Sequence, residues 1–233
     1  MSTGTSAARS GRTGQALWLL LVAVLLAACG SPGPTDLDPL PRSATVLVFG
    51  DSVTHGTGAS DGEDFPSRLQ AITGWSVIND GVPGDRADTA RERIEDSLVE
   101  HDPDLVILEL GGNDFLRGRE PAQVKEDLRA LIGQVRDHGA QPLLIGVPEA
   151  SALGAATGRL SDDAIYRELA REEDVPLIEG VLAGVLNDPD LRADRIHPNA
   201  EGYARMAEEI AEGLMEVGLW LGRRASAEGA GAG

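Results

Sequence analysis

The sequence predicts an α/β fold with a parallel sheet covered by helices on both faces. Three observations carry this. Short apolar runs recur along the chain, amphipathic helical patterns lie between them, and hydrophobic residues make up 42% of the 233 positions, enough for a packed core. Taken in order, Ala44–Phe49 is a Val-rich run that reads as a buried strand, and Ser76–Asn79 is a weaker second. Leu105–Leu110 and Pro142–Val147 are the third and fourth, and Val175–Ile178 is a short fifth. In Pro121–His138 the residues Val124, Leu128, Leu131, Ile132 and Val135 share one helical face, and Pro121 suits a first turn. A last helix opens at Asn199, a good N-cap, with Tyr203, Met206, Ala207, Ile210 and Leu214 on one side.

Composition narrows the function. Lys and Arg number 20 against 38 Asp and Glu, a formal charge of −18. Such a surface repels phosphate backbones, which excludes nucleic acid as a partner. Aromatics are only 3%, which argues against a groove that stacks sugars or bases. One cysteine makes neither an internal disulfide nor a Cys-rich metal site.

The amino terminus reads as an address. Arg9 and Arg12 precede an unbroken apolar run, Ala16 to Ala28. That run is too short for a membrane-spanning helix and suits a signal peptide over residues 1–28. It ends in Leu26-Ala27-Ala28-Cys29-Gly30, which resembles the lipobox of bacterial lipoproteins with Cys29 as the acylated residue. The resemblance implies an exported protein, lipid-anchored to the bacterial cell envelope on its periplasmic side. Gly30 is not the aspartate of inner-membrane retention, so the outer membrane is favoured. Residues 29–43 carry Pro32, Pro34, Pro39 and Pro41 and read as a semi-rigid tether. A catalytic domain is expected over 44–221 and a frayed Gly/Ala-rich tail over 222–233.

In open parallel sheets, sites form beyond the carboxyl ends of the strands. Each of those ends carries chemistry here. Gly50-Asp51-Ser52-Val53 follows the first strand and sets a serine on a tight turn. Asn79-Asp80-Gly81-Val82-Pro83-Gly84-Asp85 follows the second. Gly111-Gly112-Asn113-Asp114 follows the third, with glycines that admit close approach and an amide donor. Asp194-Arg195-Ile196-His197-Pro198-Asn199 sets a carboxylate three residues before an imidazole. Alone, each block is an ordinary turn or helix cap. Together and in this order they resemble the SGNH (GDSL) family of serine esterases and lipases over roughly residues 44–221. The nearest likeness is the bacterial arylesterase / thioesterase I / lysophospholipase group, through Leu108 to Gly118 and Asp194 to Asn199.

The resemblance implies a flavodoxin-like three-layer α/β/α sandwich with a five-stranded parallel sheet, no cofactor and no metal. It implies hydrolysis of carboxylic esters, thioesters or lysophospholipids through an acyl-enzyme. Its nucleophile falls on Ser52, its general base on His197 and the orienting acid on Asp194. Its oxyanion donors fall on the Ser52 amide, Gly84 and the Asn113 side chain. The chemistry coheres: serine needs a base to take its proton, histidine titrates near neutrality, and converging N–H donors stabilise the oxyanion. Three positions depart from the pattern. Val53 replaces leucine, Arg195 replaces a frequent glycine, and Gly81-Val82-Pro83 makes a stiffer loop. Asp51 and Asp114 are expected to shape loops through hydrogen bonds. Trp75 and Trp220 are expected to pack, and His55, His101 and His138 to be solvated.

The expected partners are a small ester or lipid substrate and, through the anchor, a membrane; the enzyme is expected to be monomeric. The loops Pro148–Arg159 and Asp114–Arg119 are expected to wall an acyl pocket, with Phe115 and Leu116 facing it. Two rivals are a carbohydrate O-deacetylase of the same fold and a non-catalytic binding lipoprotein.

Overall fold

β1 (Thr45–Gly50) is the hub, buried from its second residue to its last. It pairs in parallel with β2 (Ser76–Gly81) in the register Thr45↔Ser76 through Gly50↔Gly81. On its other side it pairs with β3 (Leu105–Glu109), from Val46↔Leu105 to Gly50↔Glu109. β4 (Gln141–Ile145) and the two-residue β5 (Leu177–Ile178) complete a five-stranded parallel sheet in the order β2-β1-β3-β4-β5. That is the flavodoxin-like order, and its switch point lies between β1 and β3, where the connections reverse direction. The computed structural model describes residues 1, 37–149 and 159–222. The signal-peptide reading beyond Met1, Cys29, the first part of the tether, segment 150–158 and the tail from 223 lie outside the described residues.

Eight α-helices lie among the described residues. α1 (Ser52–His55) is a single turn after β1, and α2 (Phe65–Thr73) leads to β2. α3 (Ala87–His101) and the five-residue α4 (Gly112–Leu116) flank β3. α5 (Pro121–His138) starts at its proline and stops at left-handed Gly139. α6 (Ala164–Glu173), α7 (Val181–Asn187) and α8 (Ala200–Glu216) follow. α3, α5 and α6 pack in series, and α8 packs on α2 and α7, giving the two helical layers. Every apolar residue assigned to the inner faces of α5 and α8 is buried.

The observed strands differ from the expected runs by one or two residues at their ends. β4 stops at Ile145, although the Gly146 amide still donates to the Ile178 carbonyl at 2.9 Å and Val147, which lines the cavity, stays buried. Leu37 and Leu40, ahead of β1, donate backbone hydrogen bonds to Val217 and Leu219 at 3.3 and 2.9 Å and pack on the core. Trp75 and Trp220 are buried as expected, and His55 is exposed. His138 departs from expectation. Its ring is largely covered, with Nε2 facing the Asp102 carboxylate at 3.3 Å. No helix among the described residues is long and apolar enough to cross a membrane.

Candidate active site

The turn after β1 is built by exclusion. A side chain at Gly50 would meet the Thr54 hydroxyl at 2.1 Å and the Glu109 carbonyl at 2.6 Å, so only glycine ends this strand here. Asp51 then caps α1, its Oδ1 accepting from the Val53 amide at 2.9 Å while the side chain stays buried. Ser52 thereby becomes the first residue of a one-turn helix at the top of the sheet. Gly56, left-handed at φ 95°, ends that helix.

The loop before α8 folds around Asp194. Its Oδ1 accepts from the amides of Ile196 and His197 at 2.8 and 2.9 Å, and the Ala193 amide donates to the His197 carbonyl at 2.9 Å. Asn199 caps α8 through the Glu201 and Gly202 amides. The loop thus presents the imidazole with Nδ1 at 2.8 Å from Asp194 Oδ2 and Nε2 at 3.0 Å from Ser52 Oγ. An ionised Asp194 selects the tautomer with the proton on Nδ1, which leaves Nε2 to accept from the serine hydroxyl.

Burial is the largest influence on the Asp194 carboxyl and pushes it up. The bonds from the His197 ring and the Ile196 and His197 amides together outweigh it, so the carboxyl sits below the usual range. Asp194 is therefore charged throughout the neutral range. Its side chain is 55% exposed, whereas that of His197 is 13% exposed. Arg195 lines the neighbouring cavity. The carboxylate's hydrogen bonds go to His197 and the two amides, so the substitution leaves the Asp194–His197 pairing intact.

The Gly-Gly-Asn-Asp block is held equally firmly. Gly111, at φ 125°, leaves room for the Tyr166 hydroxyl, which donates to the Leu110 carbonyl at 2.6 Å. Asn113 donates from Nδ2 to Asp51 Oδ2 at 2.9 Å, which leaves its second amide hydrogen unused by that bond. Asp114 is fully buried. It accepts from the Ala87 amide at 3.0 Å and from Arg119 at 2.5 Å. Arg119 continues to Asp127 at 2.7 Å, and Asp127 to Arg91 at 2.6 Å. This ion-pair chain ties the loop after β3 to α3 and α5.

The loop after β2 has its own clamp. Arg93 lies over the Phe49 ring at 3.8 Å, pairs with Asp85 at 2.8 Å, and donates to the Gly50 and Asp80 carbonyls at 3.0 and 3.2 Å. Gly81 packs on His55, whose amide would lie 2.2 Å from an added side chain. Gly84 sits farther round the turn at φ 85°. It is absent from the residues that line the cavity described next.

A cavity of about 560 Å³ opens beside Ser52 and His197. Asp51, Asn113, Glu109 and Asp194 contribute its polar side, while Leu116, Val147, Pro148, Leu160, Leu182 and Ile196 are among its apolar lining. Four of the residues selected from sequence, Ser52, Asn113, Asp194 and His197, therefore meet around one cavity. Of the two apolar residues expected to face it, Leu116 does so, 54% exposed, whereas Phe115 packs against the core. Sequence reasoning missed α7, whose Leu182 and Leu186 form part of the wall. It also missed Glu109, buried beneath the site and accepting from the Thr54 hydroxyl at 2.9 Å. Among the described residues no cluster of His, Cys, Asp and Glu is arranged to hold a metal ion.

Residues 48–205 match the GDSL-like Lipase/Acylhydrolase family. The chain is 35% identical over 181 residues to thioesterase 1/protease 1/lysophospholipase L1 of Escherichia coli (strain K12), covering 74% of this chain and 84% of that one. It is 31% identical over 183 residues to an arylesterase of Vibrio mimicus, covering 75% and 90% respectively. Among solved structures, the crystal structure of TesA superposes with a TM-score of 0.66 at 31% identity, over 74% of this chain and 99% of that one.

The ion-pair chain gives a stability prediction. Arg119→Met removes the cation from the fully buried Asp114 and leaves an uncompensated carboxylate. The expected loss is about 3 kcal/mol or more, read by urea denaturation at neutral pH. Arg68→Met, at a partly exposed surface pair, is expected to cost less than about 1 kcal/mol.

Proposed function

The chain belongs to the GDSL-like lipase/acylhydrolase family and is an ester hydrolase, and within that class we propose that it works through an acyl-enzyme on Ser52. The observation that carries this reading is the hydrogen-bonded line Ser52–His197–Asp194, at 3.0 and 2.8 Å, beside a largely apolar cavity. As Ser52 Oγ attacks the ester carbonyl, His197 Nε2 takes its proton, and Asp194 stabilises the imidazolium that forms. The carbonyl oxygen becomes an oxyanion, with the Ser52 amide, the free Asn113 N–H and the Gly84 amide as its proposed donors. Collapse returns the proton to the leaving alcohol or thiol. Water then repeats the sequence on the acyl-enzyme and releases the acid. Support for Gly84 is its place in the turn after β2, and it is the least direct of the three.

The substrate class follows from the wall of the cavity. Leu116, Val147, Leu160, Leu182, Leu186 and Ile196 offer an acyl chain dispersion contacts and no hydrogen bonds. This favours a fatty acyl ester over an acetylated glycan. The anchor reading remains our proposal from sequence: Cys29 carries lipid after cleavage at residue 28, and residues 29–43 tether the domain to the cell envelope.

Three outcomes test this function. Ser52→Ala is expected to abolish turnover of 4-nitrophenyl esters while keeping the native melting transition, and a fluorophosphonate is expected to modify Ser52 of the native chain. Labelling of a different serine would overturn the assignment. Leu116→Ala is expected to change the ratio of kcat/KM between butyryl and dodecanoyl esters several-fold, since each lost methylene contact is worth about 1 kcal/mol. An equal drop across chain lengths would remove Leu116 from the acyl wall. Cys29→Ser is expected to leave the protein unlipidated, by mass spectrometry, and released from the membrane fraction; continued fractionation as a processed lipoprotein would refute the anchor.

A further inference from the structure

Behind the nucleophile lie two buried carboxyls that the mechanism above does not use. Asp51, at 4% exposure, sits under Ser52, and Glu109, at 1%, ends the neighbouring strand. The register Gly50↔Glu109 brings them to the same level of the sheet. We propose that Asp51 is a positioning residue for the oxyanion hole: its carboxylate selects which end of the Asn113 carboxamide faces the reacting carbonyl. The inference rests on the reading of Asn113 as an oxyanion donor.

The geometry supplies the reason. Ionised, Asp51 only accepts. Oδ1 takes the Val53 N–H and Oδ2 takes one Asn113 N–H. The Asn113 amide is thereby fixed with its nitrogen inward, and its remaining hydrogen is free for the oxyanion. Protonate Asp51 on Oδ2 and that oxygen becomes a donor. The better partner is then the Asn113 carbonyl oxygen, reached by a flip of the amide. A flipped amide sets a second oxygen, in place of an N–H, toward the developing negative charge. One proton on Asp51 therefore converts a stabilising contact into a repulsive one.

The surroundings set when this happens. Burial pushes the Asp51 carboxyl up to about 6. The Val53 amide, the Asn113 amide and the charge of His197 oppose the rise, and Asp85 in the β2 loop adds to it. Arg93, paired with Asp85, partly offsets that last effect. Glu109 is held well above the usual range, by burial first and then by the Asp51 charge, against its bonds from Thr54. Tyr166 and Tyr203 also face the pair, and both hydroxyls are held neutral by burial. Near neutrality the pair thus carries one negative charge, on Asp51, where Asn113 reads it.

The test uses the full-length enzyme and 4-nitrophenyl butyrate. Asn113→Ala is expected to lower kcat by about 10²–10³. Asp51→Asn, which turns an NH₂ toward the Asn113 NH₂, is expected to lower kcat by about 10² with KM within threefold. The double variant is expected to lose no more than Asn113→Ala alone, because Asp51 acts through Asn113. Losses that multiply, or wild-type kcat in Asp51→Asn, would overturn the proposal. A pH profile decides the matter even if Asp51→Asn does not fold. In the native enzyme log kcat/KM is expected to approach a slope of two on its acid side, from His197 and Asp51 together. In Asn113→Ala the slope is expected to be one, from His197 alone. Equal slopes in the two proteins refute it. A wild-type kcat for Asn113→Ala would instead remove the oxyanion assignment and this inference together.

Discussion

The pairing of β1 with β3 is the constraint from which the site follows. Gly50 opposite Glu109 makes the two strands end at one level, so the turns that leave them start side by side. Asp51 and Asn113 can then share a hydrogen bond across 62 residues of sequence. Because Val46 through Phe49 are buried on both faces of the sheet, alternation alone does not set this register; a slip of one residue would instead drive a side chain into the space beside the Thr54 hydroxyl and the Glu109 carbonyl that Gly50 leaves free. A steric restriction at Gly50 thus helps to fix a polar contact. The same argument extends to β2, whose Gly81 opposite Gly50 brings its loop against α1, where Asn79 donates to the Thr54 carbonyl at 2.9 Å.

The acidic excess shapes the inside of the molecule as well as its surface. Basic side chains are scarce, and several are placed where two or three acids converge. Arg93 meets Asp80 and Asp85, Arg119 meets Asp88, Asp114 and Asp127, and Lys125 meets Glu168 and Glu172. The first two brace the loops after β2 and β3. The pair at Lys125 joins α5 to α6 on an exposed face, where such contacts are worth little. The burial of the acids, rather than the number of bonds, separates these pairs: Asp85, Asp114 and Asp127 are covered, whereas Glu168 and Glu172 are about half exposed.

Much of this was legible in the sequence, and the failures have physical causes. The α5 boundaries, Pro121 to His138, were readable because a proline fixes the first turn and Gly139 supplies the left-handed stop. Asn199 was readable as a cap because its side chain competes with helical backbone and so favours a terminus. The four motif blocks were readable because local turn chemistry dominates them. Arg93 and Arg119 were not, because their partners lie elsewhere in the chain and a helix-borne arginine looks solvated until the fold supplies an acid. Nor was the difference between Phe115 and Leu116. Both are apolar neighbours in a five-residue helix, and one step of about 100° sends one to the core and the other to the cavity. α7 reads only as an apolar run, since nothing in Val181–Asn187 distinguishes a wall from a core.

The two aspartates near Ser52 show how environment divides one chemistry into two states. Asp194 lies at the surface, accepts three hydrogen bonds and is held below the usual carboxylate range. Asp51 is buried, accepts two and is pushed up to about 6. The folded state therefore binds a proton at Asp51 more readily than the unfolded chain does. By linkage, this carboxyl lowers stability as pH rises from about 4, and the cost is complete above about 6, where it reaches about 3 kcal/mol. Asp194 has the opposite sign: its contribution is present above the usual carboxylate range and is lost as pH falls through its depressed value. A charge that could be housed cheaply at the surface is held instead at the floor of the site. In the role proposed for Asp51, that cost is what holds the Asn113 N–H turned toward the place where negative charge would develop.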